Sequence, residues 1–350
     1  MQRFLSLATL GILGGLVWMF LQGGGLNQLA VDPGAGQAPT GNWNSGGFGF
    51  FSPTTPTAST PGSTGVQPTT IGASAPPMGA GPTIRIASFN IEAFGKTKAD
   101  KPYVMQTLAE IVRQFHLVAI QEIRTQDEYM LRTFVNLINS NGRRFDFVVG
   151  PRLGNTTSTE QYAFIFDTER VEIDESSLYT VGDPDNLLHR EPLVASFRTR
   201  GVNPDEAFTF TLVNVHTDPD VVNDELQAIA ETYRVVRRAG REEDDVIMLG
   251  DFNADDSHLG RLGQIPGVTP LVRGVYTNTR QNRLYDNLII HQPSTTEYAG
   301  RSGVFDVMRQ FNLTLAQAEQ VSDHFPVWAE FSVYERDYAG RIASRRSVAR

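Results

Sequence analysis

VIMLGDFNAD, residues 246–255, decides the reading of this chain. Val246 to Leu249 form an apolar run of strand length, and Gly250 and Asp251 end it abruptly. A strand end presents its side chains at the rim of a sheet, so Asp251 and Asn253 stand where a solvent-facing site can form. Taken alone, Asp-x-Asn after a strand is commonly a turn or a helix cap. The rest of the chain repeats the pattern. IRIASF runs into Asn90, LVAIQ into Glu122-Ile123-Arg124, and FTLVNV into His216-Thr217-Asp218. Ser322-Asp323-His324 precedes the last strand. Asp286 in LYDNLII and Glu160 in TEQYAFIF complete the set.

Each residue has a plain explanation when read singly: a surface charge for Glu122, a satisfied core residue for a histidine. The set is more informative. It holds oxygen ligands, two candidate bases and an acid to orient each base, which is what hydrolysis of a phosphate ester requires. A hard divalent cation, most simply Mg²⁺, takes carboxylate and amide oxygens and offsets charge on the phosphoryl group. A carboxylate that fixes a histidine's tautomer lets it activate water. Asn and His donors suit the equatorial oxygens as negative charge builds.

Strands are expected at Ile84–Asn90, Leu117–Gln121, Phe145–Val149, Tyr162–Phe166, Leu193–Phe197, Phe208–His216, Val246–Leu249, Leu284–Ile290 and Phe325–Val333. Helical periodicity marks Val104–Phe115, Glu128–Ile138 and Asp224–Ala239. The alternation predicts one mixed α/β domain over residues 83–334. No internal sequence repeat is evident.

The ends differ in texture. Residues 1–26 read as a signal peptide or membrane anchor: after Arg3 comes an uncharged apolar run, Phe4–Leu21, about long enough to span a bilayer. An N-inside orientation would export the remainder of the chain, leaving it membrane-anchored or secreted. Residues 27–82, rich in Gly, Pro, Thr and Ser with Asp32 as the one charge, read as a flexible linker. Residues 335–350 read as a basic, solvated tail.

The chain of 350 residues has no cysteine, which excludes disulfides, thiolate metal sites and a cysteine nucleophile. Its net charge is -9, so no global basic field attracts nucleic acid. Setting aside Arg3 and five tail arginines from 30 basic residues, and Asp32, Glu335 and Asp337 from 39 acidic ones, leaves the domain about 12 charges negative. A polyanion would have to be held through a metal and a local cationic patch.

The ordered run SFNIEAFGKTK, VAIQEIR, TEQYAFIF, REPLVASF, VNVHTDP, VIMLGDFNAD, LYDNLII and VSDHFPVWAEF resembles the endonuclease/exonuclease/phosphatase superfamily over about Ile84 to Val333, and its deoxyribonuclease I branch most closely. GDFNAD and SDHFPV carry the superfamily likeness, and HTDP, the FG-x-TK run and REP point to the branch. The resemblance implies a four-layer α/β sandwich, with two mixed β-sheets packed face to face and flanking helices outside. It implies that Glu122, with Asn90 and Asp323, holds the metal. His216 would be oriented by Glu160 and His324 by Asp286, with Asp251 and Asn253 positioning phosphate, metal or water. Arg124 would enter a minor groove and Arg190 would face DNA. The implied cofactor is Mg²⁺, with Mn²⁺ as a substitute and Ca²⁺ as a structural ion near Asp185, Asn186 and Glu191. The implied reaction is in-line attack of water leaving a 5′-phosphate, with DNA as substrate and no protein partner.

The chain departs from the branch at Glu92, where an arginine is usual, at Ser158 for a tyrosine and at Asn155 for a basic residue; both disulfides are missing. The catalytic set is intact and the DNA-gripping set is diluted. Three readings are open: a DNA endonuclease; a hydrolase of the same chemistry acting on RNA, phospholipid head groups or small phosphate esters; and a binding module without activity. The intact Glu122, His216, Asp251 and His324 weigh against the last.

Overall fold

Two parallel strand pairs, each closed by a helical crossover, organise the molecule. The structure is a computed structural model in which residues 83–155, 159–239 and 243–336 are described. β1 (Thr83–Phe94) crosses through α1 (Lys96–Ala99) and α2 (Pro102–Val112) to the parallel β2 (Leu117–Ile123). After α3 (Glu128–Asn139) come β3 (Phe145–Val149), β4 (Gln161–Asp167), β5 (Val171–Thr180) and β6 (Leu193–Thr199). β7 (Thr209–His216) then crosses through α4 (Val222–Ala239) to the parallel β8 (Val246–Asp251). α5 (Gly260–Gly263), β9 (Val268–Pro270), β10 (Asp286–His291), β11 (Tyr298–Val304), α6 (Val307–Phe311), α7 (Leu315–Val321) and β12 (Val327–Ser332) complete the described chain.

The strands form two six-stranded mixed sheets, ordered β11-β12-β1-β2-β4-β3 and β5-β6-β7-β8-β10-β9. In each sheet one parallel pair is flanked by antiparallel partners in the same sequence of senses. The repeat is one of topology, which is why no sequence repeat announces it.

Period-two alternation sorts each strand between two cores. Ile84, Ile86, Leu117, Ala119, Tyr162 and Phe164 meet Leu212, Ile247, Leu249 and Leu288 between the sheets. Ala87, Phe89, Val118 and Ile120 face outward and pack with Leu108 and Val112 of α2 and Phe134 of α3. Val213, Val215, Met248 and Ile289 do the same against Ile229 and Tyr233 of α4. The result is the helix–sheet–sheet–helix sandwich expected from the resemblance. α3 starts where the Asp127 carboxylate accepts from Tyr129 N–H at 2.9 Å, and α2 opens on Pro102.

β5, β9 and β11 have no counterpart among the expected strands, and all three lie at sheet edges with broken alternation. The domain end also moves. Glu335, assigned to the solvated tail, is buried and accepts from Thr209, and Arg336 N donates to Glu297 at 2.6 Å. Among the described residues no helix is long and apolar enough to cross a membrane. The apolar run 4–21, the linker 27–82, Ser158 and the tail beyond 336 lie outside the described residues.

Candidate active site

The inward-facing positions of the strands are apolar along most of their length and turn polar at one end. On β1 the series Ile84, Ile86 continues to Ser88 and Asn90; on β7, Phe210 and Leu212 continue to Asn214 and His216; on β8, Ile247 and Leu249 end in Asp251. First comes a buried amide layer. Gln121 Nε2 donates to Asn214 Oδ1 at 2.6 Å and to Ser88 Oγ at 3.0 Å, while Asn214 Nδ2 donates to Ile120 O at 3.1 Å. Beyond this layer the predicted residues converge.

Both histidine–acid pairs span the two sheets. Glu160, before β4, meets His216 at the end of β7, with Oε1 2.7 Å from Nδ1. Asp286, opening β10, meets His324, just before β12, with Oδ2 2.8 Å from Nδ1. Both Nε2 atoms turn to one carboxylate: Asp251 Oδ2 lies 3.7 Å from His216 and 3.5 Å from His324. Burial opposes charge on His216, but Glu160 and then Asp251 outweigh it and raise its pKa. Burial likewise opposes charge on His324, and Asp286 with Asp251 overcomes it to hold the pKa well above the ordinary value.

Backbone geometry aims the remaining groups. By strict alternation Glu122 would point outward with Val118 and Ile120. Instead it adopts φ 62° in a stretch where the pairing of β2 slips against both neighbours. Its Oε2 accepts from Ala93 N–H at 2.9 Å and pairs with Arg124 at 2.8 Å, and its Oε1 accepts from Asn90 Nδ2 at 3.1 Å. Burial pulls the Glu122 pKa up, yet His216, Arg124 and these donors bring it below the usual value. Gly250 has φ 152°, and a Cβ there would lie 1.9 Å from Val215 O, so the strand end before Asp251 admits only glycine. Asn253, at φ 47°, donates from N–H to Asp251 Oδ1 at 2.9 Å and from Nδ2 to Thr217 O at 2.9 Å.

Asn90 Oδ1 accepts Glu92 N–H at 3.0 Å, which turns its NH₂ between Glu122 and Asp251, 3.1 Å from each. A donor thus sits between the half-buried Glu122 carboxylate and the buried Asp251 carboxylate, the position a cation would also favour. The surrounding oxygens, and the orphaned buried Glu160 Oε2 and Asp286 Oδ1, suit a hard divalent ion. The ligand atoms of Asp251, Asp286 and His324 lie within 4.8 Å of one another. Asp323, the third ligand implied by resemblance, has a side chain 54% exposed and its Oδ1 3.8 Å from His324 Nε2.

Arg124 is 41% exposed at the rim. Arg190, expected to face DNA, is instead buried: it donates to the carbonyls of His216 at 3.2 Å and Thr217 at 3.3 Å and lies 3.5 Å from Glu160. It fastens the end of β7 and adds positive charge behind the His216 pair. Asp185 and Asn186 are exposed and Glu191 half-buried on a turn tied by Asp183, whose Oδ2 accepts Leu188 N–H at 2.7 Å.

Sequence reasoning missed the supports. Ser322 Oγ donates to Asn90 O at 2.7 Å and accepts His324 N–H at 3.0 Å, joining β1 to the His324 loop. Lys98 Nζ is buried and donates to Ile91 O at 2.6 Å and Val321 O at 2.7 Å. Thr277 Oγ1 accepts Asp286 N–H at 3.1 Å. A signal existed for part of this: Ser88 and Asn214 stand two residues before Asn90 and His216, on the same faces. An open cavity of about 1000 Å³ beside the site shares Arg124 and is otherwise lined by residues such as Met105, Gln126 and Met130 rather than by the catalytic candidates.

Residues 87–324 match the model of the Endonuclease/Exonuclease/phosphatase family. Deoxyribonuclease gamma of Rattus norvegicus is 30% identical over 263 residues, 70% of this chain and 83% of that protein. Deoxyribonuclease-1-like 1 of Sus scrofa is 30% identical over 267 residues, 73% of this chain and 82% of that protein. Among solved structures, a humanized D. rerio TDP2 with 14 mutations aligns at TM-score 0.50 and 15% identity, covering 72% of this chain and 100% of that one, a likeness of fold.

Proposed function

Because the chain belongs to the endonuclease/exonuclease/phosphatase family, whose match spans both sheets, we propose that this phosphodiester hydrolase is a metal-dependent DNA endonuclease that leaves 5′-phosphate ends. One observation carries the reading: two imidazoles, each backed by a buried acid from the opposite sheet, flank Asp251 Oδ2 at 3.7 and 3.5 Å. Each Nδ1 is engaged by its acid, so each Nε2 is the atom presented to substrate. One imidazole takes the proton of the attacking water and the other donates to the departing oxygen, with in-line displacement at phosphorus. Asn253, fixed by its two donated hydrogen bonds, orients the phosphoryl oxygens. Glu122, Asn90 and Asp251 would hold the divalent ion, Mg²⁺ by this proposal, with Asp323 at the rim. When bound, the ion supplies charge neutralisation at the phosphoryl group.

DNA as substrate is supported by the names of the relatives at 30% identity and by Arg124 at the rim. A second reading, hydrolysis of RNA, a phospholipid head group or a small phosphate ester, is favoured by Glu92, half-exposed where the branch carries an arginine. The proposal includes export of the enzyme on the apolar run 4–21. The test is nicking of supercoiled plasmid with and without Mg²⁺, beside RNA, phospholipid and small-ester substrates. Cleavage abolished by chelation and by His216→Ala supports the reading; plasmid left intact with Mg²⁺ present rejects it.

A further inference from the structure

Residues 257–285 hold four arginines and no acid, in a domain about 12 charges negative. The last part of this stretch is the loop from Arg273 to Arg283, with Arg273, Arg280 and Arg283 all exposed. It is bonded to the active site on both sides of His324. Thr279 N–H donates to Asp323 O at 2.8 Å, and Phe325 N–H donates to Thr277 O at 2.6 Å. Thr277 Oγ1 also accepts from Tyr285 N–H at 2.9 Å and from Asp286 N–H at 3.1 Å, next to the carboxylate that orients His324.

The loop holds one shape. Asn278 Oδ1 accepts Asn282 N–H and Arg283 N–H, both at 2.9 Å, and Thr277 N–H donates to Arg283 O at 2.8 Å. Arg283 therefore projects from a fixed turn. Its guanidinium lies 5.9 Å from the centre of the Tyr285 ring, and that ring lies 6.4 Å from the imidazole of His324. A strand advances about 3.4 Å of helix axis per nucleotide, so the guanidinium stands within about four nucleotides of a phosphate at His324.

Nearby acids neutralise the loop only in part. Arg280 pairs with Glu319 of α7 at 2.7 Å, and Asp256 Oδ1 accepts Gly274 N–H at 3.4 Å. Arg273 donates to Pro270 O at 2.9 Å and Arg283 lies over Tyr285, and neither meets a carboxylate among the described residues. A guanidinium placed this way keeps N–H donors for a phosphate. A small phosphate ester held at the two imidazoles gains nothing from cations beyond the Tyr285 ring. A polymer does, because its charge continues past the reacting phosphate.

We propose that the 273–283 loop grips the DNA backbone beside the scissile phosphate, with Arg283 and Arg273 each taking a phosphate of the duplex. The inference rests on the endonuclease reading and adds where the polymer is held: an acidic domain receives a polyanion at its acid-free stretch.

Fluorescence anisotropy of a labelled DNA duplex, with the full chain carrying His216→Ala at fixed Mg²⁺, reads binding while the probe stays uncut. Arg283→Ala should weaken binding severalfold and make the slope of log Kd against log salt shallower by about 0.9, and adding Arg273→Ala by about 1.8. Arg144→Ala removes an exposed arginine beside the end of β4 opposite Glu160 and should change neither quantity. An unchanged slope in the doubly substituted loop overturns the proposal. So does an equal loss in Arg144→Ala, which would reduce the effect to net charge, or a His216→Ala chain that does not bind the duplex. Plasmid nicking by the parent chain tests the endonuclease reading separately. Nicking whose salt dependence ignores both loop arginines keeps that reading and rejects the loop; a duplex bound through them but never cut by the parent does the reverse.

Discussion

Three buried histidines lie at two ends of the same double sheet, and they titrate in opposite directions. His216 and His324 at the reactive end each take an acid on Nδ1, and their pKa values rise. His116, before β2 at the far end, accepts Arg85 N–H on Nδ1 at 2.8 Å. Burial, then Arg170, Arg143 and Arg85, lower its pKa to about 3. The acids are distributed in the complementary way: at the reactive end Glu160 and Asp286 each hold an imidazole, while the far end gathers Asp245, Glu297 and Glu335 within 4.8 Å of one another. The same side chains thus become machinery or scaffold according to which partner the fold brings to them.

Deleting one imidazole at each end gives the largest expected contrast. His324→Ala should lower the rate of phosphodiester cleavage by roughly 10²- to 10⁴-fold, the range for a lost acid–base group. His116→Gln, which can still accept the Arg85 N–H, should leave the rate within about twofold. Steady-state kinetics on both variants checks this. Equal losses would mean that His324 acts only through packing.

The next effect lies between the ends. Gln121→Leu removes the side chain that joins Asn214 to Ser88 beneath the site. Stranding those partners should cost about 1–3 kcal/mol, a Tm fall of several degrees, read by thermal unfolding. If the layer also positions His216 through Asn214, kcat will fall as well; unchanged kcat would confine it to stability.

These same contacts explain how much of the molecule is legible in its sequence. The site residues are readable because polar groups interrupt apolar strands at one end, and the two sheets follow from alternation along β1, β7 and β8. Edge strands such as β5 (VEIDESSLYT) stay hidden because a strand paired on one side and half exposed need not alternate. Glu122 is found by type, but its left-handed backbone and bulge leave no mark in LVAIQEI. Arg190 is misplaced because a motif gives a neighbourhood and not a direction: REP brings it to the site but from beneath. The far acidic cluster is invisible because Asp245, Glu297 and Glu335 are scattered through the sequence and look like ordinary surface charge.

His116 also sets the sign of one pH effect. Above its ordinary pKa of 6.5 the imidazole is neutral in folded and unfolded chains alike. Between 6.5 and about 3 the unfolded chain gains a proton that the folded one refuses, so stability falls as pH drops. The contribution is up to about 1.4 kcal/mol per pH unit in that window. Denaturant unfolding at pH 7 and pH 5 should therefore show a smaller loss for His116→Gln than for the parent chain. An identical loss would place the acid sensitivity elsewhere.

Arg124 offers the smallest and most discriminating change. Its guanidinium lies 2.8 Å from Glu122 Oε2, yet 41% of it is exposed, so it has two candidate partners. If it moves to a DNA phosphate on binding, Arg124→Ala removes one phosphate contact. The slope of log kcat/KM against log salt should then become shallower by about 0.9, alike for different DNA sequences. If instead it serves Glu122 as a counter-ion, the slope stays put, and removing it leaves a more negative carboxylate that binds Mg²⁺ more tightly. Measuring the salt slope and the Mg²⁺ dependence on the same variant separates a residue that grips the polyanion from one that tunes the metal ligand. Because the domain carries a net negative charge, the first outcome would make Arg124 part of the local cationic patch that a polyanionic substrate requires.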